Sequence, residues 1–159
     1  MRIGFGYDVH PLKEGEKMIL GGVEITHKKG LVGHSDADAL CHAIIDAMFG
    51  AAALGDIGTH FPDSDEKYRG ISSLKLLEQS AAILLENNYR IINIDSTIVL
   101  EKPKLISYKQ RMIKNISEKL DIKTTQISVK ATKEEGLGFV GEQNGIKVFA
   151  VVLLEKKNK

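Results

Sequence analysis

The chain has 159 residues and a mass of 17.5 kDa, a size that suits one domain with a core built without disulfides. Its 22 basic and 21 acidic side chains leave a formal charge of +1, which offers nucleic acid no broad field, although a local phosphate pocket needs none. The single cysteine, Cys41, excludes an internal disulfide framework and a cysteine zinc finger.

The amino terminus, Met-Arg-Ile-Gly-Phe-Gly-Tyr-Asp, has no apolar run behind a basic head and makes a poor signal peptide. Ile3–Val9 alternates small and apolar residues and reads as an opening strand. Met18–Ile25 reads as a second strand or hairpin arm broken at Gly21-Gly22, and Gly30–Ser35 as a loop. Ser35 or Asp36 could cap a helix over Ala37–Ala53, with Leu40, Ile44 and Met48 toward the core. Asp38, His42 and Asp46 recur every four residues on another face, a polar stripe that is either solvated or functional.

Gly55–Asp65 combines glycines, carboxylates and aromatics and reads as a functional or mobile loop. A second helix is predicted over Ser73–Asn87, with Leu74, Leu77, Ala81 and Leu84 as its apolar face. Ile92, Ile94, Ser96, Ile98 and Leu100 alternate as a strand does. Pro103 marks its exit, and Ser107–Leu120 reads as a third helix. Strands over Ile127–Ala131 and Ile146–Leu154 flank a glycine-rich connection, Gly136–Gly145. The last strand is apolar on both faces, as suits a central sheet position or a subunit contact. At seven residues, Val148–Leu154 is too short to cross a bilayer as a helix. Leu154–Lys159 reads as a frayed end. The pattern predicts one α+β or α/β domain over residues 1–159, with helices covering a sheet, in a cytoplasmic protein.

Asp8-Val9-His10 is the sharpest local signal. Residues two apart on a strand face the same way, so a carboxylate and an imidazole can converge. His42 could complete a zinc site whose fourth position is left for water or substrate. The same residues would also suit a hydrogen-bonded Asp8–His10 turn and a helix-surface His42. His34 and Ser35 could donate to a phosphate or act as caps, and His27 and His60 are less informative.

Three segments together are more specific. Gly4-Phe5-Gly6-Tyr7-Asp8-Val9-His10, Gly33-His34-Ser35-Asp36-Ala37-Asp38 and Gly50-Ala51-Ala52-Ala53-Leu54-Gly55-Asp56-Ile57-Gly58, followed by Glu101-Lys102-Pro103-Lys104 and Lys130–Phe139, resemble the 2-C-methyl-D-erythritol 2,4-cyclodiphosphate synthase family. The resemblance runs over Met1–Leu154. It implies conversion of 4-diphosphocytidyl-2-C-methyl-D-erythritol 2-phosphate into the cyclic diphosphate and CMP, in non-mevalonate isoprenoid synthesis. It further implies an α+β, ferredoxin-like subunit with a mixed sheet covered by helices, assembled as a homotrimer with intersubunit active sites.

By that resemblance Asp8, His10 and His42 are zinc ligands, and Glu135 holds a second divalent ion, Mg2+ or Mn2+, at the diphosphate. Asp56, Thr132 and Glu135 take catalytic roles. The substrate-binding set comprises Asp8, His10, His34 and Ser35, then Asp56, Ile57, Gly58, Phe61, Pro62, Asp63, Ser64 and Asp65. It continues with Leu100, Pro103, Lys104, Leu105 and Ile106 at the cytidine, and with Ala131, Thr132, Lys133, Glu134, Glu135, Phe139 and Glu142. The implied partners are a CDP-linked small molecule and further copies of the chain, with no nucleic acid and no membrane. Two positions depart from the family. Lys133 stands where a second threonine is common, and could touch a phosphate or turn to solvent. Glu142 replaces a residue often basic in bacterial relatives, which argues against anion binding on the trimer axis. A zinc phosphohydrolase and a non-catalytic nucleotide-binding protein are the competing functions.

Overall fold

A computed structural model describes residues 1–157; the final two residues of the predicted frayed end, Asn158 and Lys159, lie outside the described residues. Seven strands, β1 (Arg2–Glu14), β2 (Met18–Leu20), β3 (Val23–Ile25), β4 (Lys29–Leu31), β5 (Tyr89–Val99), β6 (Ile127–Thr132) and β7 (Gly145–Lys156), are joined by the helices α1 (Ala39–Ala52), α2 (Ile57–His60), α3 (Ser73–Glu86), α4 (Lys109–Leu120) and α5 (Gly138–Gly141). One mixed sheet has the order β4-β1-β7-β5-β6, and β2 and β3 form a separate hairpin. β7 is central and antiparallel to β1 and β5, whereas β5 and β6 run parallel.

That parallel pair corrects the ferredoxin-like expectation. A ferredoxin-like chain runs β-α-β-β-α-β. Here α4 is the crossover between two neighbouring parallel strands, and the two consecutive long strands, β6 and β7, come last.

The opening strand is longer than its apolar core and inverts the usual pattern. Gly4, Gly6 and Leu12 are its buried positions, while Ile3, Phe5, Tyr7 and Val9 are 73, 62, 44 and 44% exposed. The glycines are required by close approach. A Cβ on Gly4 would lie 2.0 Å from the Ala47 carbonyl oxygen, and one on Gly6 2.0 Å from that of Ala43. Helix α1 therefore rests on the strand backbone through its alanines. It is buried nearly all round, by Leu40, Ile44, Ile45, Met48 and Phe49 among others, as a helix inside the core must be.

Other differences have local causes. Asp38, not Ser35 or Asp36, caps α1, and it is buried rather than part of a solvated stripe. Its Oδ1 accepts from Gly21 N–H and Cys41 N–H, and its Oδ2 from Gly22 N–H and the Cys41 thiol. One carboxylate thus ties the β2–β3 turn to the helix start. Gly21 and Gly22, at φ 56 and 67, make the left-handed turn a two-residue hairpin needs. Gly30 and Leu31, in the segment expected to be a loop, belong with Lys29 to β4 and pair with β1. On α3 the buried face is Leu76, Leu77, Ser80 and Leu84, with Leu74 and Ala81 only half-buried. A register shift between Ile91 and Asn93 brings Ile91 to the buried face of β5 in place of Ile92. Leu154–Lys156 belongs to β7 rather than to a frayed end. Among the described residues no helix is long and apolar enough to cross a membrane.

Candidate active site

The Gly4/Gly6 seam decides where α1 lies, and with it His42. Asp8 and His10 follow Gly4 and Gly6 on the helix-facing side of β1, and His42 reaches them from α1. His10 Nε2 lies 2.9 Å and His42 Nδ1 3.2 Å from Asp8 Oδ2, and the two nitrogens are 3.3 Å apart. Tetrahedral ligation with bonds of about 2.0–2.1 Å places donor atoms roughly 3.3 Å apart. The three donors therefore fit a zinc ion with little movement, and the metal-ligand cluster predicted from sequence is formed.

The surroundings orient these donors. His10 Nδ1 lies 2.8 Å from the Val32 carbonyl oxygen, which only accepts, so Nδ1 carries the proton and Nε2 keeps its lone pair for a metal. His42 Nε2 lies 2.8 Å from Ser73 Oγ and 3.0 Å from Ser35 Oγ. Ser73 Oγ donates to Asp36 Oδ1, and Ser73 N–H donates to Asp36 Oδ2 at 3.0 Å. Burial opposes ionisation of Asp8, but when the facing nitrogens of His10 and His42 carry protons their hydrogen bonds and charge prevail and hold its carboxyl at about 2; a metal ion held by the three donors would take the place of those protons. Burial likewise resists a charge on His10, and Asp8 with the Val32 carbonyl outweighs it, so the imidazole binds its proton more tightly than usual.

The cluster opens into a cleft of about 200 Å³ lined by Asp8, His10, His34, Ser35, His42, Ile57, Gly58, Phe61, Asp63, Tyr68 and Leu76. His34 Nε2 is buried there and has no hydrogen-bond partner among the described residues. Gly55–Asp65 is not all loop. Asp56 caps α2, accepting from Thr59 N–H at 2.8 Å and Thr59 Oγ1 at 2.7 Å, and Asp46 Oδ1 accepts from Ile57 N–H at 3.3 Å. His60 stacks on Phe49 with centroids 4.0 Å apart and lies outside the cleft lining. Asp56, Pro62, Ser64 and Asp65 belong to this segment without lining the cleft.

A second cavity, of about 360 Å³, is lined by Leu100, Glu101, Pro103, Lys104, Leu105, Ile106, Lys109, Ala131, Thr132 and Lys133. It shares no lining residue with the first. Asp8 pairs with Val148, Val148 with Ile98 and Ile98 with Ala131. Three strand spacings, about 14 Å, therefore separate the metal cluster from Ala131 within one chain. Glu135 is exposed, outside the three-residue cluster, at φ 53 and 3.7 Å from Lys133 Nζ. Glu134 pairs with Lys147 at 2.8 Å, and the Lys147 ammonium sits 5.1 Å from the Phe139 ring centroid. Glu142 is exposed and accepts from Asn144 Nδ2 at 3.2 Å.

Sequence reasoning missed Ser73, Tyr68 and Leu76, and treated Asp36 as a cap alone. Ser72-Ser73 ahead of an apolar run signals a helix start and nothing more, so its contact with a histidine 31 positions away had no local trace.

Comparison with known proteins extends over nearly the whole chain. The model of the YgbB family matches residues 1–155. The 2-C-methyl-D-erythritol 2,4-cyclodiphosphate synthase of Syntrophomonas wolfei is 58% identical over 156 residues, 98% of this chain and 99% of that protein. The synthase of Clostridium novyi is 58% identical over 157 residues, 99% of this chain and all of that one. Among solved structures, the bifunctional IspDF of Campylobacter jejuni superposes with a TM-score of 0.94 at 41% identity; 99% of this chain is covered, and it spans 42% of that longer chain. The CDP complex of Plasmodium falciparum IspF superposes with a TM-score of 0.86 at 39% identity, covering 99% of this chain and 97% of that one.

Proposed function

The chain belongs to the YgbB family, and on that premise we propose that it is a cyclodiphosphate synthase, a phosphorus–oxygen lyase of non-mevalonate isoprenoid synthesis. It converts 4-diphosphocytidyl-2-C-methyl-D-erythritol 2-phosphate into 2-C-methyl-D-erythritol 2,4-cyclodiphosphate and CMP. The observation that carries this reading is the converged Asp8, His10 and His42 donor set on a chain so similar, end to end, to two such synthases.

An oxygen of the 2-phosphate forms a bond to the β-phosphorus, and the bond from that phosphorus to the oxygen of CMP breaks. A phosphate monoester is largely ionised near neutrality and CMP leaves as a stabilised anion, so neither end needs a strong protein acid or base. The difficulty lies in bringing anionic groups of one molecule together, and a site that binds both ends supplies that as positioning. A zinc ion held by Asp8, His10 and His42 would withdraw charge from the phosphate oxygens. His34 and Ser35 donate to the same phosphates; the unpartnered His34 Nε2 supports this assignment. Ile57, Gly58 and Asp63, with Asp56, Phe61, Pro62, Ser64 and Asp65 around them, enclose the polyol. Lys104 and backbone groups of Leu100–Ile106 line the cytidine, Thr132 reaches its diphosphate, and Glu135 would hold Mg2+ or Mn2+ there. Lys133, beside Glu135, adds a point charge to this end.

The working unit is a homotrimer with sites between subunits. Two features support it: the metal cleft and the Thr132 groove stand about three strand spacings apart in one chain, and Ile3, Phe5, Tyr7 and Val9 leave a sheet face uncovered. Head-to-tail packing of that face in a closed ring sets one subunit's metal cleft against its neighbour's groove. Three copies of Glu142 near the axis would repel an anion. A buried, unpaired Cys41 suits the reducing cytoplasm.

Incubation with the CDP-linked substrate, zinc and magnesium, followed by mass and phosphorus NMR analysis in 18O water, tests the reaction. The cyclic diphosphate without solvent oxygen is expected. A linear product carrying 18O would make the protein a hydrolase, and unchanged bound substrate would make it a binding protein.

A further inference from the structure

We propose that Ser73 and Asp36 are positioning residues that set the tautomer and ring orientation of His42, and so the zinc affinity of the site. The inference rests on the metal-site reading above and extends it to two residues outside the donor set. Ser73 is fully buried, so its hydroxyl has no water to satisfy it. A hydroxyl has one proton. The Asp36 carboxylate, which only accepts, takes that proton from Ser73 Oγ and is itself fixed by the Ser73 N–H. Ser73 Oγ can then serve His42 only as an acceptor, so at 2.8 Å the proton of the imidazole stands on Nε2. Ser35 Oγ, already accepting from Ala37 N–H at 3.2 Å, is a second acceptor 3.0 Å from the same nitrogen. With Nε2 protonated, the Nδ1 lone pair points to Asp8 and His10. The carboxylate thus acts on the metal site through a hydroxyl, in the manner of carboxylates that hold metal-bound histidines directly.

Zinc affinity of metal-free protein, measured by competition with a chromophoric chelator, tests the proposal without reference to turnover. Ser73→Ala keeps the backbone N–H and removes the hydroxyl. It is expected to weaken zinc binding roughly ten- to a hundredfold and to shift the visible spectrum of the cobalt-substituted site. Asp36→Asn is expected to weaken zinc in the natural background and to have no further effect in the Ser73→Ala background, because its influence passes through the missing hydroxyl. Equal zinc affinity in Ser73→Ala and the natural protein overturns the proposal, as does an Asp36→Asn effect that persists undiminished without Ser73. Should Ser73→Ala fail to fold, Asp36→Asn alone decides, and unchanged affinity in that variant overturns it. Failure of the unaltered protein to bind zinc would instead sink the metal-site reading itself.

Discussion

Gly6 of β1 and Ala43 of α1 meet backbone to backbone, with 2.0 Å between the site of a Cβ on Gly6 and the Ala43 carbonyl oxygen. The contact carries both stability and function, because metal-cluster residues stand close to both partners: His42 precedes Ala43, and Asp8 and His10 follow Gly6. Gly6→Ala is expected to force α1 off the sheet and cost about 3 kcal/mol or more in denaturant unfolding. It should also weaken zinc. A variant as stable as the natural protein would show that the helix yields easily.

Asp38 caps α1 and closes the β2–β3 turn with four accepted hydrogen bonds. Burial raises its pKa, yet both oxygens are fully used. Asp38→Asn places an amide N–H2 against two donors and leaves them unsatisfied, for an expected loss of about 1–3 kcal/mol. Urea unfolding of metal-free protein reads it.

Zinc binding should depend on pH through His10. Asp8 and the Val32 carbonyl overcome the effect of burial and raise the folded-state pKa of His10 above its ordinary 6.5. The proton therefore stabilises the metal-free fold fully below 6.5, and that contribution is lost as pH rises through the folded value. Zinc must displace the same proton, so affinity climbs through that pH range and levels off above it. Calorimetry in buffers of different ionisation enthalpy should count about one proton released per zinc. Affinity that is flat between about pH 6 and 8 would remove His10 from the ligand set.

Sites shared between subunits predict complementation. His42→Ala spoils the metal cleft and Thr132→Ala the groove, and each should be nearly inactive alone. Random reassembly of equal amounts should give about one intact site in four, and hence about a quarter of natural activity. No recovery despite demonstrated subunit exchange would place each site within one chain.

Removing the Glu135 carboxylate with Glu135→Gln should raise the magnesium or manganese concentration needed for half-maximal turnover about tenfold or more, at constant zinc. An unchanged divalent-ion response would exclude Glu135 as a ligand.

Much of the fold is readable along the chain because its signals are local. Helices α1, α3 and α4 and the central, doubly apolar β7 follow from periodicity, whereas Met18–Ile25, one broken strand or hairpin arm in the sequence, folds into two paired strands turning at Gly21-Gly22. Errors fall where a neighbour in space overrides the pattern: Asp38 reads as part of a solvated stripe until the Gly21 and Gly22 amides find it, and the bulge at Ile91/Asn93 exchanges one isoleucine for another in the core.

For the site, the residue types and their strand spacing determined that Asp8 and His10 share a face, since alternation along a strand is a property of the backbone itself. Family-like segments determined which chemistry to expect. Only the tertiary structure decided that His42, 34 positions from Asp8, completes the cluster, that Ser73 and Asp36 stand behind it, and that Thr132 lies across the sheet from it. Those outcomes depend on how closely a helix rests on a strand and in what order strands pair, and neither distance is written in the spacing of residues along one chain.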